Sequence, residues 1–201
     1  MYLCNSNMTH KRFFTDLRMQ QTNNNSKTIF AQGTIDFVTV AAEFCAYLEQ
    51  SSDRSKEHFV DTMLKLLPFL YVKVHLVKRV ESNGDFLPDD KVTEEDYNWI
   101  RNIIYSILGN DDDYEELVFD PNTQSDETKW SSISENLADM YQSLRNFVSA
   151  YQIGIEDCMH DALWLVMDQF ELFWGKCLVD SLSRLHQVKY KITGDSDEDS
   201  L

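Results

Sequence analysis

The run from Ile155 to Leu185, IEDCMHDALWLVMDQFELFWGKCLVDSLSRL, constrains this chain more than any other stretch. It holds two of the four tryptophans and two phenylalanines, Phe170 and Phe173, within a helical apolar pattern. A helix that is apolar around most of its circumference is buried among other helices rather than laid on a surface. The run therefore predicts one long helix at the centre of a bundle. Stepping about 100° per residue from Ile155 divides it into two faces. Met159, Ala162, Leu163, Val166, Phe170, Phe173 and Cys177 share a wide core sector. Asp157, Asp161, Trp164, Asp168, Glu171 and Gly175 fall opposite, an acidic stripe with a tryptophan set in it.

The rest of the chain fits a bundle. Thr34–Glu49 reads as a helix capped by Thr34, with Ile35, Val38, Ala41/Ala42, Cys45 and Leu48 on one face. Ser55–Arg79 reads as a second, with Phe59, Met63, Leu66/Leu67, Leu70, Val74 and Val77 as its stripe. Pro68 lies opposite that stripe and is expected to kink the helix, because proline removes a backbone donor. Thr93-Glu94-Glu95-Asp96 opens a third helix with acids at its positive end, and Gly109 closes it. Asn110–Glu127 reads as a long acidic connection with at most one helical turn. Ser132-x-x-Glu135 is a capping box for a fourth helix with the stripe Ile133, Leu137, Met140/Tyr141, Leu144 and Phe147/Val148. Gly154 divides it from the long C-terminal helix. With only six glycines and three prolines, and no strand alternation in evidence, the expectation is an all-α, single-domain bundle of about five helices. Residues 1–28 are expected to form a mobile extension, 29–191 the bundle, and 192–201 a disordered acidic tail.

A length of 201 residues is enough to bury roughly 70% of the unfolded surface without disulfides or metal. Cys4, Cys45, Cys158 and Cys177 form no C-x-x-C pair, which points to a reducing compartment. No signal peptide and no run of about 18 apolar residues is present, so the expected location is cytoplasmic. A formal charge of −16 opposes non-specific binding to nucleic acid or an anionic membrane.

Chemistry is thinly represented. Asp157-x-x-His160, with Asp161 adjacent, has a spacing that can chelate a metal, and Glu43, Glu57 and Asp61 could complete a site. Di-iron bundles, however, use Glu-x-x-His on two helices and glutamates from two more. Cys158 and His160 point to different sides of a helix. Asp111-Asp112-Asp113 and Asp120-x-Asn122-x-Gln124 lack the glycine of a calcium loop. There is no phosphate-binding glycine loop, nucleophile elbow or paired-cysteine zinc pattern. No catalytic residue and no cofactor is predicted.

Three stretches, Ile35-Asp-Phe-Val-Thr-Val-Ala-Ala-Glu-Phe-Cys45, Leu66-Leu67-Pro68-Phe69-Leu70-Tyr71, and Trp164 through Phe173-Trp174-Gly175 to Leu185-His186, together resemble a bacterial family known as a domain of unknown function. The resemblance spans about Ile35 to His186. It implies a bacterial cytoplasmic helical protein and carries over no site residues.

Three functional readings stay open. The first is a non-catalytic acidic interaction protein whose Asp157, Asp161, Trp164, Asp168 and Glu171 meet a basic protein partner or a second copy. The second is a metal-binding bundle or enzyme built on Asp157, His160 and Asp161. The third is a polyanion mimic that offers Asp111–Glu127 to a basic partner.

Overall fold

The computed structural model describes residues 27–82, 84, 90–120 and 125–190. The expected extension at the N-terminus, apart from Lys27 and Thr28, lies outside the described residues, as do the acidic tail and Cys4. Helix α1 spans Gln32–Glu49, α2 Lys56–His75 and α3 Glu94–Leu108. A 3-10 turn, Gly109–Asp111, leads into strands β1 (Asp113–Asp120) and β2 (Ser125–Ser132). Helix α4 covers Ile133–Ile153, followed by α5 (Glu156–Gln169), a π-helical turn (Phe170–Trp174) and α6 (Gly175–Tyr190).

The expected capping signals set two of these starts. Thr93 and Asp96 exchange bonds in a complete capping box ahead of α3, and the Ser132 hydroxyl accepts from Glu135 N–H at 3.2 Å ahead of α4. Gly109 and Gly154 follow α3 and α4 with positive φ, where a side chain is disfavoured. At α1 the expectation fails. The helix begins earlier, at Gln32, and Thr34 is buried, its hydroxyl donating to the Thr28 carbonyl at 2.8 Å. Its core face is correspondingly rotated toward Phe37, Val40 and Phe44, leaving Ile35 39% exposed.

Helix α4 touches α1, α3, α5 and α6, while α2 packs along α6. Buried side chains from every helix form one core, with Phe37, Phe44, Phe59, Met63, Leu67, Ile104, Leu144 and Trp174 among the largest. Helix α2 continues through Pro68.

Two features depart from a plain helical bundle. The first is the hairpin. β1 and β2 pair antiparallel from Asp113↔Ser132 to Asp120↔Ser125, where the sequence read as an irregular connection. Leu117 and Trp130 are 72% and 67% exposed, and the half-buried positions of β1 include a carboxylate, Glu116, beside Tyr114, so no apolar period-two pattern reveals the strand. The hairpin is tied down at its base. Asp112 is buried and accepts from Ser134 N–H (2.8 Å) and Ser134 Oγ–H (2.6 Å). The Asp112 carboxylate thus joins the Ser132 hydroxyl in satisfying the free donors at the start of α4. Arg184 stacks on Tyr114 at 4.4 Å and donates to the Glu115 carbonyl, and Lys176 donates to Glu116.

The second feature is the π turn within the C-terminal rod. Gly175 N–H donates to the Phe170 carbonyl, five residues back, so the turn accommodates one residue more than an α-helix would. Beyond Phe170 the 100° stepping is therefore out of register. Trp174, not Phe173, enters the core: Trp174 is fully buried and Phe173 is 49% exposed. The Trp174 indole N–H donates to the Val166 carbonyl at 2.9 Å, and its ring packs on Phe170 and Phe37. Gly175 is required by close approach. A Cβ there would sit 2.4 Å from the Phe170 carbonyl oxygen.

Candidate functional site

The five positions of the acidic stripe are not equivalent once folded. Asp157 is exposed in the first turn of α5, and Asp161 is buried beside His160, whose Nδ1 lies 3.4 Å from Asp161 Oδ1. Trp164 and Asp168 are half-buried. Glu171, displaced by the π turn, forms an ion pair with Arg79 beyond the end of α2. The row is thus interrupted by one buried member and one internally paired member, and none of the five lines the grooves described next. For the metal reading, Asp157 stands exposed whereas His160 and Asp161 are buried. Among the described residues, no three His, Cys, Asp or Glu side chains come together in a metal-binding group.

The acids of Asp111–Glu127 are partly committed inside the fold. Asp111 pairs with Lys56 at 2.6 Å, Glu116 pairs with Lys176 at 2.6 Å, and Asp112 is buried. The Lys176 bond holds Glu116 below the usual carboxylate range, whereas burial pushes Asp112 above it.

A groove of about 850 Å³ opens where the start of α2, the 3-10 turn, β1 and the end of α6 meet. Its cations are engaged locally: Lys56 with Asp111, Lys189 with Asp61, and Arg184 with Tyr114, Glu115 and Gln187. A second groove of about 600 Å³ lies between α1, α3 and α4. There Glu49 accepts from Tyr141 at 2.9 Å and pairs with Arg145 at 3.2 Å. A ligand meeting Lys56, Arg184 or Lys189 in the first groove, or Glu49 or Arg145 in the second, would have to displace an existing partner. No nucleophile with an adjacent base is found there. Of the thiols, burial pushes Cys177 up to about 11 and Cys45 higher still, and a thiol so buried is a weak nucleophile.

The outer side of α2 is different. Phe69 is 50% exposed, Val72 54% and Leu76 59%, at the i, i+3, i+7 spacing that makes one helical stripe. They stand opposite the buried set Phe59, Met63, Leu67, Leu70 and Val74. The π turn lies alongside. The Phe170 ring contacts Tyr71 and His75 edge-on at 5.7 and 5.3 Å, and His75 Nδ1–H donates to the Tyr71 carbonyl at 2.8 Å. Leu172 and Phe173 from the same turn are 78% and 49% exposed. Single exposed apolar residues are ordinary, but several on adjoining elements are a feature of interaction surfaces. The sequence did carry a signal for this face. Helix α2 has apolar residues on both sides, more than one core stripe requires.

The molecule is thus a mostly helical single domain with a small two-stranded sheet. The model of the family described as "Domain of unknown function (DUF5063)" matches residues 28–191, and the chain belongs to that family. It is also similar to the crystal structure of protein BF1032 from Bacteroides fragilis. The two share 40% identity over 84% of this chain and 99% of that one, with a TM-score of 0.74. No curated protein matches the chain. Among the described residues, no helix is long and apolar enough to cross a membrane.

Proposed function

We propose that this is a non-catalytic interaction protein that docks a partner on the outer face of α2 and the adjoining π turn. One observation carries the reading: Phe69, Val72 and Leu76 stand half-exposed in one helical stripe, on the helix whose Tyr71 and His75 meet Phe170 of the π turn. That turn itself exposes Leu172 and Phe173. Leaving such side chains in water forgoes burial worth about 25 cal/mol per Å². A partner that covers them recovers that free energy. The polar grooves support the same reading, since Lys56, Lys189 and Arg145 in them are already held in ion pairs within the fold.

Site-specific photo-crosslinking from position 72, in cells that naturally make the protein, tests the proposal. A benzophenone side chain at Val72 is expected to give a discrete heavier adduct, and the same group at exposed Glu94 is not. Identical yields from the two positions would refute the docking face. The negative charge of the whole chain favours one other surface, that of Asp157, Trp164, Asp168 and Glu171 facing a basic partner. A crosslinker at Trp164 that gives the adduct while position 72 stays silent selects that surface instead.

A further inference from the structure

We infer that the partner of the α2 face is an acidic amphipathic helix of about three turns. This rests on the docking proposal above and adds the partner's chemistry. From Thr62 to Val80 the chain has no aspartate or glutamate, although it has 34 acids in 201 residues. The same run contributes Lys65, Lys73, Lys78 and Arg79. Taking Val72 as zero and about 100° per residue, Lys65 falls near 20°, Leu76 near 40°, Phe69 near 60° and Lys73 near 100°. Lys65 and Lys73 therefore lie on the stripe's own side of the helix, and Lys78 and Arg79 follow its C-terminal end. Lys73 is paired with Asp36 at 2.7 Å and Arg79 with Glu171. Lys65 and Lys78 are exposed and, among the described residues, form no ion pair. An otherwise acidic molecule thus presents a locally cationic apolar strip, and the complementary occupant carries carboxylates around an apolar seam.

Its length and shape follow from the strip. Lys65 to Leu76 spans roughly 16 Å at 1.5 Å per residue. A helix laid along it would set apolar anchors at i, i+3 or i+4, and i+7. Two competing occupants fit less well. An antiparallel pairing of α2 with its own copy would set two cationic strips against each other and leave like charges facing. An anionic lipid surface would attract the four cations of the strip but repel a molecule of net charge −16, and each basic residue adds only about 1 kcal/mol there.

The adduct formed from position 72 in the full-length chain decides among them. It is digested and sequenced by mass spectrometry, with Lys65→Glu/Lys78→Glu as the companion variant. Both lysines are exposed, so the variant should retain the wild-type circular dichroism and melting curve. The expected adduct is a segment of another protein, rich in aspartate and glutamate, with apolar residues at helical spacing. A synthetic peptide of that segment should bind the wild-type chain more weakly as salt rises. It should bind the double variant about tenfold less tightly, two exposed pairs at about 0.7 kcal/mol each. Replacing the peptide's acids by lysine should restore binding to the variant. An adduct with lipid, with a second copy of this chain, or with a neutral or basic segment overturns the acidic-helix assignment and leaves the docking face standing. Absence of any adduct overturns both.

Discussion

Replacing Gly175 by alanine tests whether the π turn is held by that glycine. In an unremarkable helix the exchange should stabilise by about 0.5–1 kcal/mol, because alanine loses less backbone entropy. Here the new Cβ would lie 2.4 Å from the Phe170 carbonyl oxygen and 3.0 and 3.1 Å from two carbons of its ring. The ring can shift. The carbonyl cannot, because it accepts the Gly175 N–H that closes the π turn. Relief requires opening that bond or returning the turn to α geometry, which would swing Trp174 outward and Phe173 toward the core. Removing a buried tryptophan's contacts typically costs about 3–5 kcal/mol. Partial loss offset by the gain in propensity gives an expected net destabilisation of about 2–3 kcal/mol. Urea unfolding followed by tryptophan fluorescence measures it, and the melting temperature should fall by roughly 4–10 °C. Deleting Leu172, which is 78% exposed, makes the complementary change. It removes the extra residue while keeping Phe170 and Trp174 on the core side, and should cost less than deleting Val179 within α6. A Gly175→Ala protein as stable as wild type would refute the close-approach argument.

Further expectations concern buried polar groups. Asp112→Ala should cost about 1–3 kcal/mol, since the Ser134 N–H and hydroxyl lose their buried acceptor. Asp112→Asn keeps an acceptor and should cost less. Because burial holds the Asp112 carboxyl above its usual range, the folded state binds that proton more tightly than the unfolded chain does. Its contribution is fully present below the unfolded value and is lost as pH rises through the folded value. The wild type should therefore lose stability relative to Asp112→Asn as pH is raised from about 3 to about 6, read from denaturation midpoints; a constant difference would contradict the assignment. The Ser181 hydroxyl is buried with no hydrogen-bond partner among the described residues, so Ser181→Ala should be neutral or stabilising by up to about 1 kcal/mol. A loss of more than that on thermal melting would show that the hydroxyl has a partner.

How far the fold can be read from the residues depends on which side chains meet the core. Helices α3 and α4 announce themselves because capping residues and apolar stripes agree. The hairpin does not, because its exposed Leu117 and Trp130 follow no burial pattern. Its anchor is a tertiary matter: Asp112 matters through Ser134, a residue 22 positions away, and no spacing rule connects them. The candidate docking face was half legible. A second apolar stripe on α2 can be counted from the sequence, but its exposure depends on which neighbours cover it, and helical periodicity does not encode that.

The C-terminal rod shows the same limit at single-residue scale. Up to Phe170 a constant step assigns the faces well, burying Met159, Ala162, Leu163 and Val166. Asp161 is the exception, buried on the opposite side beside His160. Past Phe170, one widened turn changes the outcome for each aromatic residue. Phe173 moves from the core to the surface, and Trp174 takes its place with its N–H satisfied by Val166. The residues that produce this effect are consecutive: Phe173, Trp174 and Gly175, the aromatic-Trp-Gly run that also carried the family resemblance. At constant α stepping position 174 falls on the flank of the core sector; the turn's extra residue brings it inward, and the turn is too tight for a Cβ at the following position. The same turn that buries Trp174 leaves Leu172 and Phe173 outside and sets Phe170 against Tyr71 and His75 of α2. Core packing and the candidate docking face are therefore set by one local departure from α geometry. Restoring a plain helix there should disturb both at once, lowering the melting temperature and the crosslinking yield from position 72 together.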